Sequence, residues 1–354
     1  MLRISLWRIW NGFLVDYSRN KIISYSVWFI RYSISWMWSI TQHMSWWLWN
    51  QMFQYACIRA FQIKYWYPVD ELYLDFSEIY SKSDSWKFNW LRDFNIKSYK
   101  EKKASNTFFQ NFLILILRAI RVILLGIFEQ EKVDAWMYKI QKKVQPFYNK
   151  LWIYWFWLWY YDFPDSKADK KIFYWTFESS KFFDNIKDIL LEEFTPKYWI
   201  LQENTELYKQ IADTQSVCVH VRLWDFLSEK YRDRHYVCTP TYFEHAIAKI
   251  KTLVKNPKFF VFSDDIERVK KNITFPDGTY YEKWNLPVWE SFRLMYSCKH
   301  FIISNSTFSR WAQYLSRNPD KIVLAPSIRW NNCKYLPKLQ KMDIYMDDRI
   351  LIDV

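Results

Sequence analysis

The chain has 354 residues, enough for two domains of ordinary size, each with its own core. Its formal net charge of +13 suits a polyanionic partner such as a nucleotide diphosphate or an anionic membrane surface, with a basic solvated surface as the plain alternative. Nucleic acid is disfavoured as a partner because no basic run accompanies a known nucleic-acid motif.

The cysteines are scattered along the chain and odd in number. This pattern predicts reduced thiols in a cytosolic compartment and argues against a disulfide framework and a structural zinc site. They are Cys57, Cys218, Cys238, Cys298 and Cys333.

The first clear α/β pattern begins near residue 39. Residues 39–44 predict a strand, residues 45–50 (SWWLWN) a loop, and residues 51–63 a helix. Asn50 and Gln51 are then expected to supply hydrogen bonds at the tip of the loop.

The chain contains 23 Trp and only 3 Gly, whereas ordinary usage of about 7% predicts roughly 25 Gly at this length. We therefore hypothesise that many of these tryptophans are UGA codons that the source organism reads as glycine. The alternative is a genuinely Trp-rich interaction protein. Under the hypothesis the apolar content of 51% is inflated, so it does not indicate a membrane protein.

The stretch from 77 to 205 predicts insertions around a small sheet. Its most apolar segment, 112–128, is too short to span a bilayer and carries Arg118 and Arg121 in its middle. These two arginines are three residues apart and share one helical face. A core helix with a basic edge is favoured over a helix lying on a membrane surface.

The C-terminal part alternates short apolar strands with helical patterns, which predicts a parallel, doubly wound sheet. The predicted strands cover 216–221, 259–262, 301–304 and 321–325, and the predicted helices cover 241–254, 289–299 and 307–316. Such sheets bind ligands at the carboxyl ends of their strands. Each polar motif of this part lies at such an end.

Two of these motifs are HVRLWDF and FVFSDD. Arg222 is expected to grip a diphosphate bidentately, and His220 is expected to shape the nucleotide pocket and not to act as a general base. A carboxylate can accept hydrogen bonds from the N–H groups of a nucleotide base, so Asp264 after Ser263, and less readily Asp265, are candidates to bind such a base. The alternative is that these residues cap the helix that follows.

A third motif, FIISNSTFSRWAQYL, runs from a strand into a helix. Hydroxyls and backbone N–H groups at a helix N-terminus form an anion site, with capping again the alternative. The candidate residues for binding an anionic ligand in this motif are Asn305, Ser306, Thr307 and Ser309.

Together these motifs resemble glycosyltransferase family 11, the α-1,2-fucosyltransferases. With Gly in place of Trp46, Trp47 and Trp49, residues 45–56 become SGGLGNQMFQYA, the N-terminal signature of that family. With Gly in place of Trp224, HVRLWDF resembles the family's HVRRGD followed by an aromatic residue. One departure is Leu223, which stands where the family has a second arginine.

The resemblance implies a GT-B-like α/β fold of two Rossmann-like domains with parallel sheets. We expect an N-terminal extension of doubtful status at 1–36, with residue 37 or 44 as an alternative initiator. An N-terminal domain with insertions at 37–205 and a GDP-sugar-binding domain at 206–354 would follow.

The resemblance also implies an inverting transfer of L-fucose from GDP-fucose to the 2-hydroxyl of a terminal galactose. Arg222 would contact the β-phosphate, and Asp225 is the one candidate for the base. Because the sequence has no Asp-x-Asp pair, no metal or other cofactor is expected. The alternatives are transfer from another GDP-sugar and a catalytically inactive binding protein, which Leu223 would suggest.

The expected partners are a GDP-sugar and a galactose-terminated glycan, and no nucleic acid. The resemblance also allows this glycan to be linked to a lipid. The expected location is cytoplasmic, peripheral on the inner face of the membrane if the acceptor is held there.

Overall fold

The structure is a computed structural model. It describes three short strands before residue 24 and then residues 39–44, 48–67, 72–80, 89–97, 99–103, 108–128, 130–155, 160–163, 170–229, 231–283, 285–328 and 349–354. The three strands form an antiparallel sheet: β1 (Trp7–Trp10), β2 (Phe13–Asp16) and β3 (Lys21–Ile23). The rest of the expected N-terminal extension, and the loop residues Trp46 and Trp47, lie outside the described residues.

A five-stranded parallel sheet follows, in the order β6-β5-β4-β8-β7. Its strands are β4 (Ser39–His43), β5 (Leu72–Asp75), β6 (Lys100–Glu101), β7 (Ile153–Trp155) and β8 (Lys170–Tyr174). The predicted first strand is confirmed, and the small sheet expected within the long middle stretch is present.

The helices of this part are α1 (Leu48–Lys64), α2 (Ser77–Tyr80), α3 (Phe108–Leu125), α4 (Gln130–Lys150), α5 (Lys187–Glu193) and α6 (Thr205–Asp213). Helix α1 begins three residues earlier than predicted because the buried Leu48 packs into the core. Asn50 and Gln51 therefore lie in the first turn of a helix, and not in a loop.

Helix α3 corrects the expectation of a core helix. Within it only Gln110, Ile114 and Leu117 are buried. Most of its apolar side chains face outward, because the helix packs by one narrow side against α4 and β7. The apolar composition of the segment was read correctly, but composition alone does not show which side of a helix is covered.

The second sheet has six parallel strands in the order β11-β10-β9-β12-β13-β14. They are β9 (Gln215–Val221), β10 (Pro257–Ser263), β11 (Tyr280–Tyr281), β12 (His300–Ile302), β13 (Val323–Pro326) and β14 (Ile350–Ile352). The α/β class and the two parallel sheets predicted from the sequence are confirmed.

The helices of this second part are α7 (Arg232–His235), α8 (Pro240–Leu253), α9 (Ile266–Asn272), α10 (Val288–Ser297) and α11 (Thr307–Leu315). Pro240 at the first turn of α8 suits a helix start, because that position needs no intrahelical donor. All three helices predicted for this part are present, within two residues at each end.

One continuous hydrophobic cluster joins the two sheets. It contains Phe53 of α1 and Trp311 of α11, whose rings lie 4.6 Å apart. A buried ion pair crosses the same boundary, where Arg310 Nη1 lies 3.2 Å from Glu178 Oε2. The N-termini of α1 and α11 are thereby held side by side.

Tryptophan occurs at unusual backbone positions. Among the described residues, six that are not glycine have positive φ, and three of these are Trp66 (58°), Trp152 (67°) and Trp175 (97°). A bulky residue is a genuine outlier in this region, which glycine adopts freely. The backbone thus independently supports the hypothesis that glycine belongs at these three positions.

Candidate functional site

The site lies at the carboxyl ends of β9, β10 and β12, which are adjacent in the second sheet. Arg222 follows the last residue of β9, and its guanidinium is held by two carboxylates. Arg222 Nε lies 2.8 Å from Asp225 Oδ1, and Arg222 Nη1 lies 3.1 Å from Asp264 Oδ2. The Arg222 side chain remains 21% exposed, so a ligand can reach it.

Asp264 organises the loop after β9. Its carboxylate accepts hydrogen bonds from the backbone N–H groups of Leu223 (2.9 Å) and Trp224 (3.1 Å), besides the ion pair with Arg222. Asp264 was predicted to read the base. The structure instead aims both of its oxygens at the loop that carries Arg222.

Asp265 caps α9. Its carboxylate accepts a hydrogen bond from Arg268 N (3.0 Å) and lies 3.3 Å from Arg268 Nε. Ser263 Oγ in turn accepts from Asp265 N (3.1 Å). The capping alternative therefore describes the contacts that these two residues make.

His220 is buried within the site. Its Nδ1 lies 3.0 Å from Ser304 Oγ, and its ring meets the edge of Phe308 at 5.1 Å between centroids. Burial, together with the positive charge of Arg222, lowers the pKa of His220 to about 3. The imidazole is therefore neutral at physiological pH and is too weak a base to take a proton there.

The N-terminus of α11 closes one side of the site. Ser306 caps the helix by accepting from Phe308 N (3.3 Å), and Ser309 Oγ donates to the carbonyl oxygens of Ser304 (3.3 Å) and Ser306 (3.1 Å). Thr307, the first residue of the helix, is partly buried. Of the hydroxyls predicted in this motif, those of Ser306 and Ser309 are thus used within the turn itself.

Asn305, the other polar residue of this motif, is 7% exposed. Its Nδ2 donates to His235 O (3.0 Å), and its Oδ1 accepts from Cys238 Sγ at 3.7 Å. Asn305 thereby fastens the end of β12 to the segment around α7.

The N-terminus of α1 faces α11. The Trp49 ring stacks on Phe308 at 3.6 Å, and Trp311 Nε1 donates to Trp49 O (3.0 Å). Asn50 is partly buried in the first turn of α1. Gln51 is fully buried, and its Oε1 accepts from Trp90 N (3.1 Å), so the structure places this predicted donor-binding residue in the core.

A second polar pair lies at the carboxyl edge of the first sheet, where β4, β5 and β8 end. His43 Nδ1 lies 3.1 Å from Asp75 Oδ2, and the His43 ring stacks on Tyr174 at 4.3 Å. His43 is 25% exposed, whereas Asp75 is buried. Sequence reasoning missed this pair, although two adjacent parallel strands that end in His and Asp were a usable signal.

Glu282 was also missed. It follows β11, at the same edge as Ser263, and its carboxylate accepts a hydrogen bond from Ser291 Oγ. Burial raises the pKa of Glu282 to about 7. No motif in the sequence distinguished it from the surrounding charged residues.

Among the residues that the structure describes, no cluster of three or more His, Cys, Asp or Glu side chains could hold a metal ion. The charged groups at the ends of β9 and β10 include Arg222 with its two carboxylates, Asp225 and Asp264, and the pair of Asp265 and Arg268.

A sequence model of Glycosyl transferase family 11 matches residues 108–348. This match includes the motifs around Arg222, Asp264 and Asn305 but not the SWWLWN segment. An α-1,2-colitosyltransferase of Escherichia coli is 34% identical over 161 residues, which cover 42% of this chain and 53% of the relative.

A galactoside alpha-(1,2)-fucosyltransferase 1 of Leontopithecus chrysomelas is 28% identical, over 41% of this chain and 42% of the relative. The chain thus spans about half the length of the curated relatives it matches. Among solved structures, fucosyltransferase NodZ from Bradyrhizobium matches 78% of this chain and 92% of its own, with 13% identity and a TM-score of 0.44.

Proposed function

Because the chain belongs to glycosyltransferase family 11, we propose that it transfers L-fucose from GDP-fucose to the 2-hydroxyl of a terminal galactose, with inversion at the anomeric carbon. The observation that carries this proposal is the placement of Arg222. It stands at the carboxyl end of a parallel strand, partly exposed and held by Asp225 and Asp264. Such sheet edges are where nucleotides bind in open α/β folds.

In this mechanism the acceptor hydroxyl attacks the sugar on the side opposite the leaving GDP. Negative charge builds on the diphosphate as the bond breaks, and Arg222 stabilises that charge. The two ion pairs fix the plane of the guanidinium beforehand, so little reorganisation accompanies the reaction. We propose on this basis that Arg222 replaces a divalent metal as the diphosphate's counter-charge.

The base that accepts the proton of the acceptor hydroxyl is a separate question. Asp225 was the candidate from the sequence, but its carboxylate already binds Arg222. We propose His43, oriented by the buried Asp75, because a carboxylate that holds Nδ1 leaves the imidazole in a defined orientation for proton transfer. Asp225 then acts as a positioning residue for Arg222.

We propose a two-domain organisation, 37–205 and 206–354, in which the second domain holds most of the donor. Support comes from the strands, since one sheet uses residues 39–174 and the other uses residues 215–352. The acceptor we propose is a galactose-terminated glycan carried on a lipid at the inner face of the membrane, which gives the protein a cytoplasmic, peripheral location.

A second candidate function is transfer of a different sugar from the same nucleotide. The 34% identity to an α-1,2-colitosyltransferase favours keeping it. The groups at the ends of β9 and β10 would serve either donor, because they address the nucleotide part.

The test is an assay of purified protein with GDP-fucose and a β-galactoside, with other GDP-sugars in parallel and with EDTA present. We expect Arg222→Ala to lower kcat/KM by about 100-fold or more. Arg268→Ala, an exposed arginine beside the same edge, is the matched control and should retain activity. If none of the GDP-sugars yields a glycoside product, the protein is a catalytically inactive binding protein.

A further inference from the structure

Helix α3 presents a continuous apolar face to solvent. Phe108, Phe112, Leu115, Ala119 and Val122 follow one another at spacings of three and four residues, so they share one side of the helix. Phe108 is 88% exposed, Leu115 61% and Val122 67%. An uncovered apolar strip of this length is rare on a soluble protein and marks an interaction surface.

The opposite side of α3 is anchored to the protein. Ile114 and Leu117 are buried against Val133 and Met137 of α4, and Arg121 Nη2 lies 3.4 Å from Asp134 Oδ1. The sequence predicted a segment too short to span a bilayer, but the helix from Phe108 to Leu125 is long and apolar enough to cross one by length and composition alone. Packed as it is along α4, it lies on the side of the protein, which is the arrangement of an interfacial helix and not of a spanning one.

The exposed side of α4, the other helix of the hairpin, is basic. Lys139, Lys143 and Lys150 are exposed on α4, at spacings that place them on one side of the helix together with Phe147, which is 53% exposed. From Phe108 to Lys150 the sequence has seven Lys and Arg residues against three Asp and Glu residues.

This charge decides between two occupants of the face. A second copy of the chain would bring one basic hairpin against another, at a cost in electrostatic repulsion. An anionic bilayer offers acyl chains to the apolar face and negative headgroups to the lysines. We propose that the hairpin α3–α4 docks on an anionic lipid bilayer, with the apolar face of α3 inserted at the headgroup boundary and the lysines of α4 on the headgroups.

The inference deepens the proposed function by naming the surface that would bring the enzyme to a lipid-linked acceptor. It rests on that function for its purpose only. The docking itself depends on α3 and α4, which contain none of the residues assigned to donor binding or catalysis.

The experiment is cosedimentation of the full chain with vesicles of phosphatidylglycerol and phosphatidylcholine, compared with vesicles of phosphatidylcholine alone. We expect binding to the anionic vesicles that weakens with salt. The double variant Leu115→Gln, Val122→Gln should bind about tenfold more weakly or worse, because two exposed apolar side chains are removed from the inserting face. The matched control is Leu253→Gln, an exposed leucine at the end of α8, which should bind as the wild type does.

A second pair of variants tests the charges. Lys139→Gln, Lys143→Gln should lower binding to anionic vesicles and flatten its salt dependence, whereas Lys251→Gln, Lys255→Gln on the second sheet's side should not. Vesicle binding that is unchanged in both the α3 double variant and the α4 lysine variant would overturn the proposal. It would also be overturned if the wild type formed an oligomer that dissociates in the α3 double variant. Transfer to a small soluble β-galactoside, measured on the same variants, should be unchanged. A protein that binds vesicles but transfers no sugar would therefore contradict the proposed function and leave the docking intact.

Discussion

Arg222 and Asp264 form an ion pair of 3.1 Å between the ends of two adjacent strands, β9 and β10. The same carboxylate receives the backbone N–H groups of Leu223 and Trp224. Asp264 thus fixes both the loop after β9 and the direction of the arginine that the loop carries. Under the proposed function, this double contact makes Asp264 a positioning residue for Arg222.

The first prediction concerns Asp264→Asn. We expect kcat/KM to fall by about tenfold, because one charge-assisted contact to Arg222 is lost. Inhibition by GDP and by inosine diphosphate, which lacks the guanine amino group, should weaken by the same factor. If Asp264 read the base, the preference for GDP over inosine diphosphate would collapse instead, so the ratio of the two inhibition constants decides.

The second prediction concerns the base. His43→Gln should lower kcat by about 100-fold with little change in the KM for donor, because general-base catalysis contributes at the chemical step. A kcat within a few-fold of the wild-type value in His43→Gln would assign the base elsewhere.

The third prediction follows from Glu282, whose pKa is raised to about 7 by burial. Between the ordinary carboxyl pKa and this value the unfolded chain has lost the proton while the folded chain keeps it. The free energy of unfolding contributed by this group therefore falls as pH rises from about 5 to 8. Glu282→Gln mimics the protonated form and does not titrate. In urea unfolding over this pH range, the free energy of unfolding of the wild type should therefore fall relative to that of the variant.

The fourth prediction concerns the tryptophans. Trp66→Gly, Trp152→Gly and Trp175→Gly should each stabilise the protein by about 1–2 kcal/mol, because glycine carries no steric cost at positive φ. Trp311→Gly is the opposite case. Its indole is 1% exposed and donates to Trp49 O, so its loss should destabilise by about 3–5 kcal/mol.

The gene provides a direct check on this prediction. The codons at 66, 152 and 175 should be UGA, and the codon at 311 should be UGG. UGG at the three positive-φ positions would contradict the glycine hypothesis there, whatever the stability measurements show.

The sequence was sufficient for four of the six strands and three of the five helices that the structure describes in the second half. Apolar runs such as 259–262, followed by polar residues and then a helical pattern, specify a buried parallel strand locally. It was sufficient to place Arg222 at the carboxyl end of a strand, because the apolar run that precedes it specifies β9.

The sequence was insufficient where a role depends on what surrounds a side chain. Gln51 lies within the best-matching motif, yet its amide is buried against Trp90 N. Asp264 and Ser309 have the right chemistry for a ligand but bind backbone groups, Asp264 in the loop after β9 and Ser309 in its own turn. The pairing of His43 with Asp75 depends on strand order, which periodicity does not give.

The shared hydrophobic cluster between Phe53 and Trp311 limits how the chain can be divided. The strands of the two parallel sheets come from separate parts of the chain, which divide near residue 205. The side chains do not divide in this way, because each half, if separated, would expose the apolar surface that the other half covers. Exchange of one half with that of a relative should succeed only when α1 and α11 are transplanted together, so the two halves of this protein must change together.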